Sequence, residues 1–480
     1  MKYTIANRLR AGAKVIVIQD PDEVLTLQVV ESVMTAFSAG KGELKTISGS
    51  NPNILDALQD LETKSGFLIT LDLLLLFGAN PMVCRLIRQV SLSQKDSPSR
   101  LVMIEQPGTV IPPGIIGDVE IVRPELPGFP EMMAELTSFR EAVGDQSTED
   151  APAYGALGLP RHEAARLFAR SWIEKTTLDP IWIGNEKARR VTDRLQGALQ
   201  FIPTTTASVG GSKALIRWTD SRGKAFNNPK AREAGLPEPR GVLILGPPGT
   251  GKSLTSKFIA YSWGLPLLRL DAGRLFGSLV GQSESQTRMT IDAAEACAPC
   301  VLWIDELEKA FGSQGGLDGG TSSRVIGSIL TWLQDKIKPV FVVATANDVS
   351  KLRPELLRKG RFDEIFYVGL PSEPDRTEIF KVHLAKRNLS IDSIRLATAS
   401  GGFSGAEIEQ VVIDGMFTAF ARGDKATETD VLAAIHKTVP LSKTMSTEIK
   451  ALEDWARGRT VSASDTKFEP ATIGRKTLVG

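Results

Sequence analysis

GVLILGPPGTGKS, residues 241 to 253, decides the fold. An apolar, β-rich run stops at Gly246, a loop follows, and the helical pattern LTSKFIAYSW begins at Leu254. The motif G-x-x-x-x-G-K-S/T requires this context, a strand before it and a helix after it. Glycines let backbone N–H groups wrap phosphate oxygens at a helix N-terminus. Gly246, Pro247, Pro248, Gly249, Thr250 and Gly251 are the expected cradle. Lys252 reaches the β and γ oxygens, Ser253 offers its hydroxyl to Mg²⁺, and Leu254 ends the contacting stretch.

Outward from the motif, LLRLD (267 to 271), VLWIDE (301 to 306), VFVVATAN (340 to 347) and EIFYVGLP (364 to 371) alternate with helical patterns. This rhythm predicts a parallel sheet with crossover helices. Asp305 and Glu306 close the strand CVLWI. In isolation such a pair reads as a solvated turn. Beside a phosphate loop, the first carboxylate supports the metal's hydration shell and the second orients and deprotonates water. Asn347, at the end of the next strand, either caps the following helix or senses the γ-phosphate and positions that water. PELLRKGRFDE (354 to 364) predicts a short helix from Pro354 to Gly360. Arg358 and Lys359 complement its C-terminal dipole. Alternatively, Arg358 and Arg361 reach a neighbouring subunit's γ-phosphate, which implies an oligomer.

A length of 480 residues suggests about three domains. Hydrophobic residues at 42% and charged ones at 24% exclude wholesale disorder. A formal charge of +1 gives no global attraction to nucleic acid or an anionic membrane. The Lys and Arg residues of 213 to 240 alternate with acids and prolines and read as solvated surface. Three cysteines are too few for a disulfide framework, so a cytoplasmic protein is expected. The apolar run Phe67 to Phe77 contains Asp72 and falls short of the roughly 20 residues that span a bilayer. Cys297 and Cys300 have C-x-x-C spacing but no second pair for zinc, and a structural role outweighs a redox one. His162, His383 and His436 lie on unrelated helical patterns, and no H-E-x-x-H occurs.

The N-terminal block repeats the strand rhythm with KVIVIQD (14 to 20), GFLITLD (66 to 72), RLVMIEQ (100 to 106) and VEIVRPELP (119 to 127). Either this is a diverged internal duplication or two unrelated α/β segments share similar spacings. Its first loop, QDPDEV, has no glycine or lysine to cradle phosphate, and Asp72 is followed by Leu73 rather than Glu. The block is expected neither to bind nor to hydrolyse a nucleotide. After Pro371, three helical patterns replace the strands, and from about Ser462 the chain is expected to fray.

The phosphate loop, the DE strand end, ATAN, LRKGRFD and a lid opening GFSGAEIEQ together resemble an AAA-type ATPase. LPLLRLDAGRLFGSLVGQSES, APCVLWIDELEKAF, TSSRVIGSILTWLQDK, PVFVVATAN and ELLRKGRFDEIFYV narrow the likeness. They resemble the AAA ATPases first named as a hypothetical chloroplast reading frame, found in cyanobacteria, red-algal plastids and other bacteria. The likeness covers most of the chain and is weaker at the N-terminus, where the LD strand end at Asp72 and LPGFPEM carry it. It implies an α/β fold, a P-loop AAA module with a helical lid, preceded by a degenerate AAA-like α/β domain. The expected divisions are 1–140 for the degenerate domain, 141–203 for a linker and lid remnant, and 204–371 for the large α/β subdomain. The lid follows at 372–440, then a C-terminal helix and flexible tail at 441–480.

The resemblance implies ATP and Mg²⁺ as ligands and a homo-oligomer, such as a hexamer, acting on a protein partner. Val209 and Gly210 match the segment that contacts adenine, and Gly405 and Ala406 match lid residues that close over the base. Ser404 with Glu407 also makes a capping box there. As in this branch of AAA modules, no sensor arginine stands at the lid helix start. Where protein-threading relatives place an aromatic in the pore loop, this chain has Leu279 before Val280 and Gly281, with less area and no aromatic face. The expected activity is ATP hydrolysis that remodels or regulates a protein partner, with the N-terminal block as recognition domain or adaptor platform. The alternative is an ATP-dependent oligomeric switch or scaffold that does not thread substrate. A clamp-loader-like DNA ATPase finds no support in the charge balance.

Overall fold

The computed structural model describes residues 1–38, 42–63, 66–78, 80–93, 98–193, 198–204, 209–271, 282–311, 319–352, 354–358 and 360–465. The chain forms two compact units, Met1–Gln146 with Gly158–Arg166, and Ser147–Leu157 with Leu167–Gly480.

Strands β1 (Val15–Gln19), β2 (Glu43–Ser48), β3 (Gly66–Leu71), β4 (Arg100–Glu105) and β5 (Glu120–Val122) belong to the first unit. The second unit holds β6 (Leu199–Ile202), β7 (Gly241–Leu245), β8 (Leu267–Leu270), β9 (Cys300–Ile304), β10 (Val340–Ala346), β11 (Glu364–Tyr367) and β12 (Val461–Ser462). In β7, β9 and β10 every residue is buried. Helices cover both faces, so these strands read as continuous apolar runs rather than as alternation. The sheet order is β12-β11-β7-β10-β9-β8-β6, parallel except for the β6–β8 pair. One face packs Leu243, Leu302 and Val342 against Leu330, Leu333 and Leu452. The other packs Val242, Ile244 and Val343 against Ile259, Ala260 and Leu215.

The lid contains four helices, Glu373–Lys386, Ser393–Ala399, Gly405–Ala421 and Glu428–Lys437, one more than the expected three. The additional helix, SIRLATA, is too short for its periodicity to stand out. Phe380, Leu396, Ile408, Val412 and Val431 make the lid its own core. Capping boxes at Ser372/Asp375 and Ser404/Glu407 start two of its helices.

Two boundaries differ from expectation. Leu199–Ile202, expected in a lid remnant, is an edge strand paired antiparallel to β8. In the same stretch, the buried Lys187 donates to the carbonyls of Leu157 and Ala298 at 2.9 and 2.7 Å, so this segment is tied to the second unit. At the other end, Val461 and Ser462 pair parallel with Phe366 and Tyr367 where fraying was expected. The β-sheet edge supplies the hydrogen bonds that a sequence of Ser and Thr does not advertise.

The first unit's sheet is all parallel in the order β2-β3-β4-β1-β5. Counted along the chain, this is fifth-first-fourth-third-second, the order of β11-β7-β10-β9-β8 in the second unit. β2 escaped notice in the sequence because it is a polar edge strand with no buried residue. Glu105, at the end of β4, is buried and accepts hydrogen bonds from the N–H groups of Leu74 and Leu75 at 2.8 and 3.1 Å. Burial pushes its carboxyl up from an ordinary 4.5 to about 7, and the neighbouring Asp72 adds to the effect. The folded chain therefore keeps a proton that the unfolded chain releases between these values. The stability that this carboxyl contributes is fully present below about 4.5 and is lost as pH rises through 7. Glu105→Gln should remove this dependence. Hydrogen exchange of peptides covering 66–77 and 100–105, corrected for intrinsic rates, should lose protection from pH 5.5 to 8 in the wild type but not in the variant.

Candidate functional site

The loop after β7 is shaped by close approach. A Cβ on Gly246 would lie 2.1 Å from the Val368 carbonyl oxygen, so no other residue fits there. Gly251 then caps the helix Lys252–Ser262, whose first N–H groups face the loop. Thr250 Oγ1 donates to the Pro247 carbonyl at 2.9 Å and fixes the turn. The buried Lys252 donates to the carbonyls of Gly246 and Pro247 at 2.8 and 2.6 Å. Burial lowers its ammonium to about 8, while Glu308, Asp305 and Glu306 pull the other way.

A chain of hydrogen bonds joins the first turn of the helix Lys252–Ser262 to the carboxyl ends of β9 and β10. Ser253 Oγ donates to Asp305 Oδ1 at 3.1 Å, and Thr345 Oγ1 donates to the same oxygen at 2.6 Å. Thr345 Oγ1 in turn accepts from the Glu306 N–H at 3.1 Å. Glu306, two residues beyond the end of β9, has a left-handed φ of 51°. Its carboxylate pairs with Lys309 at 2.6 Å. The Asn347 N–H donates to Glu308 Oε1 at 3.0 Å, and Glu308 Oε2 is buried without a hydrogen-bond partner.

Asp305, Glu306, Asn347, Lys252 and Ser253 thus stand together at one end of the sheet. Sequence reasoning did not single out Thr345, Glu308 or Arg269. Arg269 lies over the Trp303 ring at 5.1 Å, with Nη2 3.9 Å from Asp305 Oδ2. A lone arginine inside the apolar run LLRL was the available signal.

Arg358 and Arg361 stand elsewhere. With Arg240, Gln334 and Asp335 they line an open recess. Arg240 immediately precedes β7, Arg361 shortly precedes the parallel β11, and the phosphate loop follows the far end of β7. Five residues of strand separate the two ends by about 16 Å, more than an arginine side chain covers. Arg240 donates to the Gly360 carbonyl, and Asp363 Oδ2 accepts from the N–H groups of Arg240 and Gly241 at 2.7 and 3.1 Å. Lys359 lies outside the described residues.

A cavity of about 430 Å³ opens beside the phosphate loop, with Thr250, Gly210 and Gly405 in its wall. A Cβ on Gly210 would come within 2.7 Å of Ile379 Cγ1, so glycine lets this segment pass under the lid. The Ala406 N–H donates to the Gly249 carbonyl at 3.0 Å and ties the lid to the loop. Val209 and Ala406 flank this wall rather than line it. Leu279 and Val280 lie outside the described residues. Cys297 and Cys300 are buried free thiols, and burial pushes the former up to about 11, leaving it inert. Among the described residues no cluster of three or more His, Cys, Asp or Glu could hold a metal ion, and no helix is long and apolar enough to cross a membrane.

The first unit lacks this arrangement. Gln19 pairs with Glu105 as Leu245 pairs with Ala346, and the next N–H, of Asp20 or Gly246, bonds to that partner's carbonyl. Asp20 therefore stands at the place of Gly246. There the loop is only Asp20-Pro21-Asp22, and its carboxylates serve the following helix themselves. Asp22 Oδ1 accepts from the Leu25 N–H at 3.3 Å, and Asp20 accepts from the Asp22 N–H at 2.9 Å and the Thr26 hydroxyl at 2.6 Å. Asp72 has φ 55° and precedes a five-residue helix, as Glu306 does. It matches Glu306 rather than Asp305, whose place is taken by Leu71.

The profile of the AAA family, the ATPase family associated with various cellular activities, matches residues 242–370. The AAA domain-containing protein ycf46 of Guillardia theta is 37% identical over 473 residues, covering 93% of each chain. The protein of the same name from Gracilaria tenuistipitata is 49% identical over 254 residues, 52% of each chain. The proteasome-activating nucleotidase of Saccharolobus solfataricus is 35% identical over 246 residues, covering 48% of this chain and 62% of its own. With a phosphate loop, paired carboxylates and lid built as described, and with full-length likeness of this extent, the chain belongs to the AAA family, alongside the ycf46 AAA domain-containing proteins.

Proposed function

We propose that this chain hydrolyses ATP to ADP and phosphate as an oligomer that remodels or regulates a protein partner. One observation carries the reading: the machinery is divided between the two ends of one sheet. The phosphate loop, Asp305 and Glu306 stand at the carboxyl end of the strands, and Arg358 and Arg361 stand at the amino end. A chain built this way leaves its own γ-phosphate without those cations. Head-to-tail packing of identical subunits brings one subunit's arginines towards the next subunit's loop, and closure of such packing makes a ring.

Within a site, Gly249 to Leu254 hold the phosphates through backbone N–H groups, Gly246, Pro247 and Pro248 shape the loop beneath them, and Lys252 leaves its loop carbonyls for phosphate oxygens. Ser253 Oγ and the Asp305 carboxylate, 3.1 Å apart, are hard oxygen ligands that fit Mg²⁺. The metal, when bound, neutralises charge on the phosphate oxygens. Glu306 exchanges Lys309 for the attacking water, orients it and accepts its proton, and Asn347 holds that water in line. Arg358 and Arg361 of the neighbour stabilise charge on the transferred group. Val209, Gly210, Gly405 and Ala406 surround the base. The name of the proteasome-activating nucleotidase favours a protein-directed role, and the three free cysteines suit a reducing cytoplasm. The first unit serves as recognition or adaptor domain.

ATPase rate per subunit should rise with protein concentration, and Glu306→Gln and Arg361→Ala should each lose turnover by about 1,000-fold while still binding ATP. Equal specific activity on dilution, or an active Arg361→Ala, would contradict the shared site. Because carboxylates already occupy the first unit's helix N-terminus, calorimetric titration should find one ATP per chain; two would mean that the first unit binds as well.

A further inference from the structure

The segment after the lid does more than end the chain. The helix Ser446–Ala456 packs Leu452 and Ala456 into the core beneath β11, and β12 follows on the sheet edge. The Ala463 N–H donates to the Tyr367 carbonyl at 2.9 Å. Its own carbonyl accepts from the N–H groups of Ala214 and Leu215 at 3.0 and 3.2 Å, immediately after Gly210–Ser212. Arg217 pairs with Asp465. Residues 446–465 are thereby locked between β11 and the segment that passes under the lid, and they lie outside the part that the family profile matches.

Their inner side faces the cavity beside the phosphate loop. Ile449 and Glu453, four residues apart, share one face of the helix, and Arg457, the extended residue that ends it, joins them in lining that cavity. Arg457 Nε is buried without a hydrogen-bond partner, and Arg457 approaches Asp454 only to 4.0 Å. Arg457, whose Nε stays unpaired, and Glu453 therefore line one space that has Gly210, Thr250 and Gly405 in its wall.

We propose that this C-terminal segment is the base-side wall of the nucleotide site, with Arg457 donating to a ring nitrogen of adenine and Glu453 accepting from its 6-amino group. The assignment rests on the ATP reading above and adds the source of base selectivity. Adenine offers a donor at position six next to an acceptor nitrogen, whereas guanine offers an acceptor at position six, which a carboxylate repels. A site built to bond one pattern rejects the other because its polar groups are left unpaired.

The test uses the full chain and displacement of a ribose-labelled fluorescent ATP analogue by ATP, GTP and inorganic tripolyphosphate. The wild type should prefer ATP to GTP. Arg457→Met and Glu453→Gln should each weaken ATP by about tenfold and narrow that preference. Tripolyphosphate affinity should not change, since the phosphate cradle is intact, and this also reports a folded site. ATP binding and preference unchanged in both variants would overturn the wall while leaving the ATPase reading standing. Parallel loss of tripolyphosphate binding would overturn it too, because the damage would not be confined to the base. A wild type that binds neither ATP nor tripolyphosphate would overturn both readings.

Discussion

The Asp305 carboxylate is the point on which the site depends. One of its oxygens receives hydrogen bonds from both Ser253 and Thr345, so the helix after the phosphate loop is joined to β9 and β10 through a single atom. Thr345 extends the link to the Glu306 backbone. These bonds are short because β7, β10 and β9 are adjacent and parallel, which aligns their carboxyl ends. Full burial of those strands on both faces makes the alignment rigid: a one-residue slip would swap the side chains between two closely packed faces whose neighbours they do not fit. The sheet's packing is therefore what sets the spacing between phosphate loop and carboxylates.

The same parallel geometry separates groups as firmly as it joins them. Anything that precedes a strand is held about one strand length from whatever follows it. Arg240, Arg358 and Arg361 precede β7 or β11 and share a recess there, with Asp363 bonding the amino end of β7 to the turn that carries Arg361. On the proposed reading this is why hydrolysis needs more than one subunit. The two units of the chain then show what the sheet alone can and cannot do. The first sheet repeats the order of the second sheet's inner strands β7 to β11, and an acidic residue with a left-handed φ follows β3 in one and β9 in the other. In the first unit a three-residue loop leaves no cradle, and Asp20 and Asp22 satisfy the helix end that phosphate would otherwise meet.

Much of this was legible in the sequence for a physical reason. Strands buried on both faces are forced to be apolar throughout, so GVLIL, CVLWI and VFVVATA stand out. A phosphate loop needs glycine, lysine and hydroxyl residues at fixed offsets. What escaped was set by partners distant in the chain. β2 is polar because it is an edge strand, and β12 owes its strand to hydrogen bonds with Phe366 and Tyr367. Thr345 looked like one more β-branched core residue, since only its register against Asp305 makes its hydroxyl useful. The strand register moved the first unit's Asp72 from the place of Asp305 to that of Glu306, because one residue of offset is invisible in spacings of this length. Arg457 was unreadable for the same reason: its environment comes from residues 210, 250 and 405.

Mixing two inactive variants tests the shared site most directly. Glu306→Gln keeps its arginines but loses its base, and Arg361→Ala keeps its base but lacks an arginine. Co-assembled in varying ratio, they should recover ATPase activity, because some Arg361→Ala sites then receive Arg361 from a Glu306→Gln neighbour. No recovery at any ratio, with mixed oligomers demonstrated, would contradict an active site built by two subunits.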